Sequence, residues 1–301
     1  MFKSKKVLFS ILMSFLLLLS VGCGGKGDSI VISSKEFTEN ILLSKITIKY
    51  LENLGYDVKD ETGLAGQAII RNALTGGEVD MYWEYTGTAY MDFMKKNIAE
   101  ADPETVYEEV KKWDSEENGI EWLKHSELNN TYCFVTTEEV SEETGIKTMS
   151  DMAKAYNENK DIRFIANPEY FERADGMKKI NEVYEFEVPE DKKVLLELGL
   201  FYDALVNGEG EFTVGFTTDG MIDAKNLVVL EDDKSAFPIY YGTPCVRKEV
   251  LESNPNLPKD MEKLIDKIDT ETMIKLNEEV DIEKKSLDEV ADKFLKDSGL
   301  I

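Results

Sequence analysis

Hydrophobic and polar positions alternate along the chain in the pattern of an α/β protein, with short apolar runs separated by amphipathic stretches. Three of these runs predict strands at residues 30–33, 56–59 and 79–82. Apolar residues at helical spacing predict one helix that ends at Gly55 and a second helix over residues 66–74. A β-α-β-α-β order of this kind favours a mostly parallel sheet.

Two local features mark the start of the first helix. Ser33 and Glu36 have the spacing of a capping box, in which each side chain accepts a hydrogen bond from a backbone N–H group near the other. Lys35 lies between a strand end and a helix start, where an anion is favoured. A solvated surface lysine is the alternative interpretation of this residue.

The alternation continues through the second half of the chain. It predicts strands at residues 131–137, 162–166 and 212–216, and helices at residues 102–118, 141–147, 149–156 and 195–206. After Pro238, residues 239–246 predict a strand that crosses back to the first half. The remaining chain predicts helices at residues 258–268, 270–280 and 287–297, which we expect to pack on the first half.

One internal similarity suggests two units of like construction. The segments ALTGGEVDMYWEYT (residues 73–86) and ALVNGEGEFTVGFT (residues 204–217) align without gaps, and each reads as a helix, a turn and a strand before an aromatic-Thr step. Chance similarity is the alternative, because this order of elements is common. Two such units would enclose a cleft, and clefts between domains are favoured ligand sites.

The stretch Asp80–Tyr90 is unusually rich in aromatic residues. It holds Tyr82, Trp83, Tyr85 and Tyr90 where the pattern predicts that a strand runs out into a loop. Ligands of open α/β sheets bind at the carboxyl ends of strands. By residue type alone, such a cluster fits core packing or a wall for an organic cation. We expect Tyr82, Trp83 and Tyr90 to belong to the core.

The N-terminus reads as an export signal. A basic segment with Lys3, Lys5 and Lys6 precedes an apolar run that is too short for a comfortable membrane span. The run ends in small residues before Cys23, which resembles the lipobox of bacterial lipoproteins and implies cleavage there and lipidation of the thiol. Residues 1–22 are thus predicted as a lipoprotein signal peptide and 23–29 as a lipid-anchored tether. An ordinary signal peptide with a chance cysteine is the alternative.

Composition narrows the function classes. The net charge is −25, with 60 acidic against 35 basic residues, which argues against nucleic acid as a partner. A single histidine, His125, leaves almost nothing from which to build a metal centre or a Ser-His-Asp triad, and we expect it at the surface. Cys133 and Cys245 fit a disulfide or two buried thiols equally well. We therefore expect no enzyme activity and no cofactor.

Seven segments carry a family resemblance. They are SSKEFTEN (33–40), EYTGTAY (84–90), LNNTY (128–132), NPEYFERADG (167–176), TTDG (217–220), LVVLEDDK (227–234) and PIYYGTP (238–244). Their order and spacing resemble the substrate-binding lipoproteins of ABC importers for glycine betaine, choline and related osmoprotectants. The resemblance implies an α/β type II periplasmic-binding-protein fold, with two α/β lobes joined by two crossing strands. Lobe I would comprise residues 30–131 plus 243–301, and lobe II residues 132–242.

The resemblance also implies the site residues. The cage for a quaternary ammonium group would consist of Tyr85, Tyr132, Phe216 and Tyr240. The residues that hold a ligand carboxylate would be Lys35, Thr88 and Arg173, and Asn130 would lie next to the cage. Aromatic faces attract a trimethylammonium group, which donates no conventional hydrogen bond, and Arg offers a carboxylate two donors.

The implied function is capture of a quaternary ammonium osmoprotectant and its delivery to an ABC permease. The family usually has Tyr where this chain has Phe216, and Tyr241 replaces a usual acidic residue, which leaves the ligand's identity open. Lys35 and Arg173 together favour a zwitterion, glycine betaine first, over cationic choline. We expect an extracytoplasmic monomer anchored to the membrane by lipid. A ligand sensor or altered-specificity lipoprotein that is not coupled to transport is the alternative.

Overall fold

The computed structural model describes residues 29–64, 66–96, 102–158, 160–172 and 176–301. The predicted signal peptide and the lipidation residue Cys23 therefore lie outside the described residues. So does Arg173, one of the residues predicted to hold a ligand carboxylate.

The first sheet is built from the beginning and the end of the chain. Its strands are β1 (Ile30–Ser33), β2 (Val58–Glu61), β3 (Met81–Tyr85), β4 (Ile120–Trp122) and β10 (Gly242–Arg247), in the order β2-β1-β3-β10-β4. β1 runs parallel to β2 and β3, as the β-α-β-α-β pattern predicts. β10 enters antiparallel between β3 and β4, so the returning chain completes this sheet.

The second sheet is built from the middle of the chain. Its strands are β5 (Tyr132–Thr137), β6 (Phe164–Ala166), β7 (Lys193–Leu195), β8 (Phe212–Phe216) and β9 (Leu227–Val229), in the order β7-β6-β8-β5-β9. β6 runs parallel to β7 and β8, whereas β5 runs antiparallel to β8 and β9. Each sheet thus contains one strand that runs antiparallel to its neighbours, β10 in the first sheet and β5 in the second. These two strands connect directly to the segments that cross between the sheets.

Helices surround both sheets. Before β5 they are α1 (Thr38–Asn53), α2 (Gln67–Gly76), a short α3 (Thr86–Thr88) and α4 (Pro103–Asn118). Between β5 and β10 they are α5 (Glu138–Thr144), α6 (Met149–Asn157), α7 (Pro168–Glu172), α8 (Met177–Tyr184), α9 (Phe201–Val206) and α10 (Gly220–Ala224). The chain ends with α11 (Lys248–Ser253), α12 (Leu257–Ile265), α13 (Thr270–Asp281) and α14 (Leu287–Asp297).

Helices cover both faces of the first sheet, so its central strand is buried throughout. Successive side chains of β3 alternate between the faces, and Tyr82 and Trp83 belong to different hydrophobic clusters, 0% and 1% exposed. The prediction that both residues are core is confirmed. Tyr85, the last residue of β3, is where the buried strand meets the cavity described below.

The two crossing segments pair with each other between the sheets. Asn129 bridges Tyr241, the N–H of Asn130 donates to the carbonyl of Tyr240 (3.3 Å), and the N–H of Gly242 donates to the carbonyl of Leu128 (3.0 Å). The predicted crossing strand over residues 239–246 is therefore displaced: its regular part is β10, and the residues before it form only this bridge. These paired contacts restrict the backbone conformations of the two segments that link the sheets.

Three local predictions are wrong. The capping box does not form, because Ser33 donates its hydroxyl to the carbonyl of Glu61 on the neighbouring strand (2.6 Å) and Glu36 accepts from the N–H of Gly66 (2.8 Å). The helix predicted over 195–206 is shorter, since residues 193–195 pair with β6 as an edge strand and a 3₁₀ turn precedes α9. Three of the four aromatic residues of the stretch Asp80–Tyr90 lie within β3 rather than after it, and the stretch continues into α3 and a π-helical turn.

The C-terminal helices pack on the unit that contains the first sheet, as predicted. In addition, α13 contacts the unit that contains the second sheet. α14 lies against α1, while α13 contacts α1, α14 and also α10, which lies between β8 and β9 of the second sheet. The approach of α10 is close: a Cβ built on Gly220 would lie 2.6 Å from the backbone nitrogen of Glu278. Glycine at position 220 is therefore a condition for the contact between the two units.

We expect Gly220→Ala to lower the free energy of unfolding by about 1–3 kcal/mol, because the added methyl group forces two helix backbones apart. Urea unfolding measures the difference. Gly76→Ala is the control, since a Cβ there meets nothing within 4 Å and alanine favours the helix. Equal stability of the two variants would contradict the close contact between α10 and α13.

Candidate functional site

A cavity of about 710 Å³ lies between the two sheets. It is lined by residues from the ends of β3, β5 and β8, from the start of α1, from the crossing segments and from α13. Seven of the eight residues predicted to bind a ligand line it: Lys35, Tyr85, Thr88, Asn130, Tyr132, Phe216 and Tyr240. The eighth, Arg173, lies outside the described residues. The structure brings these positions together, while their role in binding stays a prediction.

Aromatic rings from both sheets form the cavity's walls. Tyr132 and Phe216 are directly opposite each other on β5 and β8, and their rings stack with centroids 5.0 Å apart. Tyr85 and Tyr240 come from the other side, 5% and 6% exposed. These four rings, hereafter the aromatic cage, offer the negative faces that attract an organic cation. An uncharged apolar group would gain only the hydrophobic free energy of burial, without this electrostatic attraction.

The position of Tyr240 depends on a glycine. A Cβ built on Gly87 would lie 2.2 Å from the ring of Tyr240, so no other residue fits there without displacing the ring. Two hydrogen bonds hold the neighbouring backbone: Thr86 donates its N–H to the carbonyl of Tyr241 (3.1 Å), and the N–H of Tyr241 donates to the hydroxyl of Thr86 (3.0 Å). The Thr-Gly step of the aromatic stretch therefore sets one wall of the cage.

Lys35 is buried and already paired. Its Nζ lies 2.5 Å from Oε1 of Glu84, which is fully buried, and 5.3 Å from the centroid of the Tyr85 ring. The other carboxylate oxygen of Glu84 accepts from the hydroxyl of Tyr82 at 2.9 Å. Lys35 is thus not a solvated surface lysine, but most of its charge is balanced inside the protein before any ligand arrives.

Glu39 is a central residue that the sequence analysis missed. It is 3% exposed and accepts hydrogen bonds from the hydroxyl of Tyr85 (2.5 Å), from Nδ2 of Asn130 (2.8 Å) and from Nδ2 of Asn277 (3.2 Å). In sequence it looks like an ordinary acidic residue in the first turn of a helix. Its position in SSKEFTEN, next to other site residues, was the available signal.

Asp219, in the TTDG segment, was also missed. Its carboxylate accepts from the hydroxyl of Tyr202 and from the N–H of Phe216 (3.1 Å). Burial raises the pKa of Asp219, and the negative charges of Glu39 and Asp281 add to this, although the two hydrogen bonds act in the opposite direction.

The described lining of the cavity is acidic. Five carboxylates line it, those of Glu36, Glu39, Asp92, Asp219 and Asp281, against the single amine of Lys35. Since Lys35 pairs with Glu84, the described residues present a negative field to an entering molecule. Such a field favours a cation, or a zwitterion whose positive end faces these carboxylates.

The structure also tests two expectations about residues outside the cage. Cys133 and Cys245 are free and buried, in different sheets, and burial raises the pKa of both thiols. His125 is not a plain surface residue: its ring stacks on Tyr241 at 4.1 Å and meets Tyr107 edge-on at 4.9 Å. Tyr241 therefore packs against His125, and it does not line the cavity.

The raised pKa of Asp219 predicts a pH effect on stability. The folded state holds this proton more tightly than the unfolded chain, so the contribution of Asp219 to the free energy of unfolding falls as pH rises from the ordinary value of 3.8 through the raised pKa. The Asp219→Asn variant has no carboxyl group to titrate there, so it avoids this loss of stability. Its side-chain oxygen can still accept the hydrogen bond from the N–H of Phe216. Relative to wild type, the variant should gain stability as pH rises above the ordinary value of 3.8. A pH-independent difference in urea unfolding would contradict the assignment.

Comparison with known proteins adds a family. The family model described as the substrate-binding domain of an ABC-type glycine betaine transport system matches residues 28–297. A glycine-betaine-binding protein of Pseudomonas aeruginosa is 35% identical over 297 residues, which cover 94% of each chain. The carnitine transport binding protein OpuCC of Listeria monocytogenes is 33% identical over 299 residues, 96% of this chain and 95% of the relative.

Solved structures agree in fold. A crystal structure titled as a glycine betaine/carnitine/choline ABC transporter superimposes with a TM-score of 0.82 at 27% identity, covering 90% of this chain and 99% of the other. Apo YehZ from Escherichia coli superimposes with a TM-score of 0.79 at 28% identity, covering 91% of this chain and all of the other. The type II periplasmic-binding-protein fold implied by the sequence is thereby confirmed.

Proposed function

The chain belongs to the family of substrate-binding domains of ABC-type glycine betaine transport systems, and we propose that it captures a quaternary ammonium compound in the aromatic cage and delivers it to an ABC permease. Members of this family are solute-binding proteins, not enzymes, and we infer that this chain likewise does no chemistry on its ligand. The observation that carries the proposal is the set of four rings from both sheets around one acidic cavity.

The cage residues have a direct physical role in this proposal. Tyr85, Tyr132, Phe216 and Tyr240 would surround the trimethylammonium group, with each ring contributing about 0.5–2 kcal/mol. Phe216 lacks a hydroxyl but keeps the ring's negative face, so it serves as well as tyrosine in this respect. Asn130, fixed by its bond to Glu39, would close the cage on one side.

A carboxylate, where the ligand has one, would meet Lys35, Thr88 and Arg173. Glycine betaine is the first candidate, because these residues offer two positive groups and a hydroxyl donor. The pairing of Lys35 with Glu84 reduces its share, so Arg173 would supply most of the charge. A zwitterion would then bind with its positive end in the cage and its carboxylate toward Arg173.

The proposed organisation follows from the same fold. Lobe I would comprise residues 30–131 plus 243–301, lobe II residues 132–242, and the lobes would close on the ligand about the paired crossing segments. The protein would act outside the cytoplasm as a monomer, held to the membrane by lipid on Cys23. No helix within the described residues is long and apolar enough to cross a membrane.

A sensing role without transport is not favoured. Two relatives match nearly the whole chain: one from Listeria monocytogenes is a carnitine transport binding protein by name, and one from Pseudomonas aeruginosa is a glycine-betaine-binding protein. The Phe216 substitution leaves the cage intact, and Tyr241 stacks on His125 instead of entering the cavity. The two departures that left room for altered function therefore leave the cavity able to hold the family's ligand class.

Calorimetric titration of the purified protein with glycine betaine, carnitine, proline betaine and choline tests the ligand class. At least one should bind, and Tyr132→Leu should weaken binding by about tenfold or more, because the side chain stays apolar but loses its ring. Tyr156→Leu is the matched control: this tyrosine is buried beside the second sheet, away from the cavity, so the change lowers stability without lowering affinity. Absence of binding by all four compounds would contradict the proposed ligand class but would not affect the assignment of the fold family.

Lipid attachment has a separate test. We expect metabolic labelling with a fatty acid to mark the protein and Cys23→Ser to abolish both the label and membrane association, since the thiol is the attachment point. Cys133→Ser is the control, because that thiol is buried in the second sheet. Labelling that survives Cys23→Ser would contradict the lipoprotein assignment.

A further inference from the structure

Two buried polar atoms at the cavity have no hydrogen-bond partner. They are Oγ1 of Thr131 and Oδ1 of Asn277, in side chains that are 7% and 5% exposed. Both residues line the cavity beside the aromatic cage. Unsatisfied buried polar groups are rare and costly in folded proteins, so each one calls for a partner that the protein chain does not supply.

The orientation of Asn277 is fixed by its donors. Its Nδ2 donates to Oε2 of Glu39 (3.2 Å) and to the carbonyl of Thr218 (3.0 Å), both of which only accept. The reverse orientation would place an amide oxygen against a carboxylate and a carbonyl. Oδ1 is therefore the branch left unpaired, as an acceptor at the cavity.

Three carboxylates line the same cavity as these two atoms. Glu39, Asp219 and Asp281 line the same cavity, and among the described residues none of them forms an ion pair with Lys or Arg. With Thr131 and Asn277 they form one surface of the cavity, hereafter the acceptor wall. Apart from the hydroxyl of Thr131, which both donates and accepts, each group on this wall accepts hydrogen bonds from whatever occupies the cavity.

The acceptor wall is continuous with the aromatic cage. Glu39 lies 2.5 Å from the hydroxyl of Tyr85, and Asp219 lies 3.1 Å from the N–H of Phe216. Thr131 directly precedes Tyr132 in the chain. The cage and the acceptor wall therefore border each other in one cavity, so a single ligand can contact both.

We propose that the acceptor wall binds a hydrogen-bond donor, an O–H or N–H group, carried by the same ligand whose quaternary ammonium occupies the aromatic cage. This inference rests on the proposed function and narrows it. Glycine betaine has no such donor, so it leaves Thr131 and Asn277 unpaired. A quaternary ammonium compound with a hydroxyl or N–H group satisfies them and gains affinity where the cavity is most acidic.

The decisive comparison uses two cations of equal charge, one with a hydroxyl donor and one in which a methyl group replaces the hydroxyl hydrogen. Choline carries a hydroxyl, while O-methylcholine has the same charge and the same trimethylammonium group but no O–H. Calorimetric titration of the purified protein should show choline binding about tenfold more tightly, the size expected for one hydrogen bond to a buried acceptor. Equal affinities would overturn the acceptor wall while leaving the cage in place. Absence of binding by choline, O-methylcholine and glycine betaine alike would overturn the proposed function and this inference together.

Thr131→Val separates a hydrogen bond from a steric effect. The variant keeps the shape of the side chain and removes a hydroxyl that has no partner in the protein, so it breaks no internal bond. The ratio of choline to O-methylcholine affinity should fall from about ten toward one. An unchanged ratio would mean that the extra methyl group of O-methylcholine is simply too large, and would overturn the role of Thr131.

The control removes another unpartnered buried hydroxyl, away from the cavity. Tyr156 has one beside the second sheet and does not line the cavity. Tyr156→Phe should leave the ratio of the two affinities at its wild-type value. A ratio that fell equally in both variants would show that stability, not contact with the ligand, governs the effect, and would overturn the proposal.

Discussion

The cavity depends on one buried carboxylate, Glu39. It accepts hydrogen bonds from residues on β3, on a crossing segment and on α13, which lie up to 238 positions from it in the chain. Through Asn277 the same network reaches the carbonyl of Thr218, just after β8 of the second sheet. A charge buried this deeply is stable only with several donors, so each part of the chain that supplies one is held in place. Glu39 therefore holds Tyr85 and Asn130 at the cavity and, through Asn277, links the two halves of the molecule.

Charge placement explains how an acidic protein builds a selective cavity. The strongest positive group among the described lining residues, Lys35, is balanced by Glu84, which leaves the remaining carboxylates to set the field. Aromatic faces then attract an ammonium group that carboxylates alone would hold less selectively, because a small hydrated cation gains little from a ring. The described lining thus combines aromatic faces with a net negative charge, an arrangement that suits a cation better than a free anion.

Much of the fold was predictable because its signals are local. β1, β5, β8 and the C-terminal helices follow from runs of apolar residues that pack against neighbours nearby in sequence. Three cage positions lie in the short segments EYTGTAY, LNNTY and PIYYGTP, and the fourth, Phe216, directly precedes TTDG. Residues whose role depends on distant partners were not reached: Glu39 and Asn277 look like ordinary polar helix residues until α1 and α13 are seen side by side.

The sequence by itself determined the alternation of strands and helices, the acidic character, the family resemblance and the set of aromatic residues near the cavity. The tertiary structure alone decided which polar groups face that cavity. It turned the capping-box pair Ser33 and Glu36 to partners elsewhere, paired Lys35 with Glu84, and left Thr131 and Asn277 without a partner. The physical reason is that apolar periodicity is a property of residues that are neighbours in the sequence. A hydrogen bond or an ion pair, in contrast, forms between atoms that only folding brings within about 3 Å of each other.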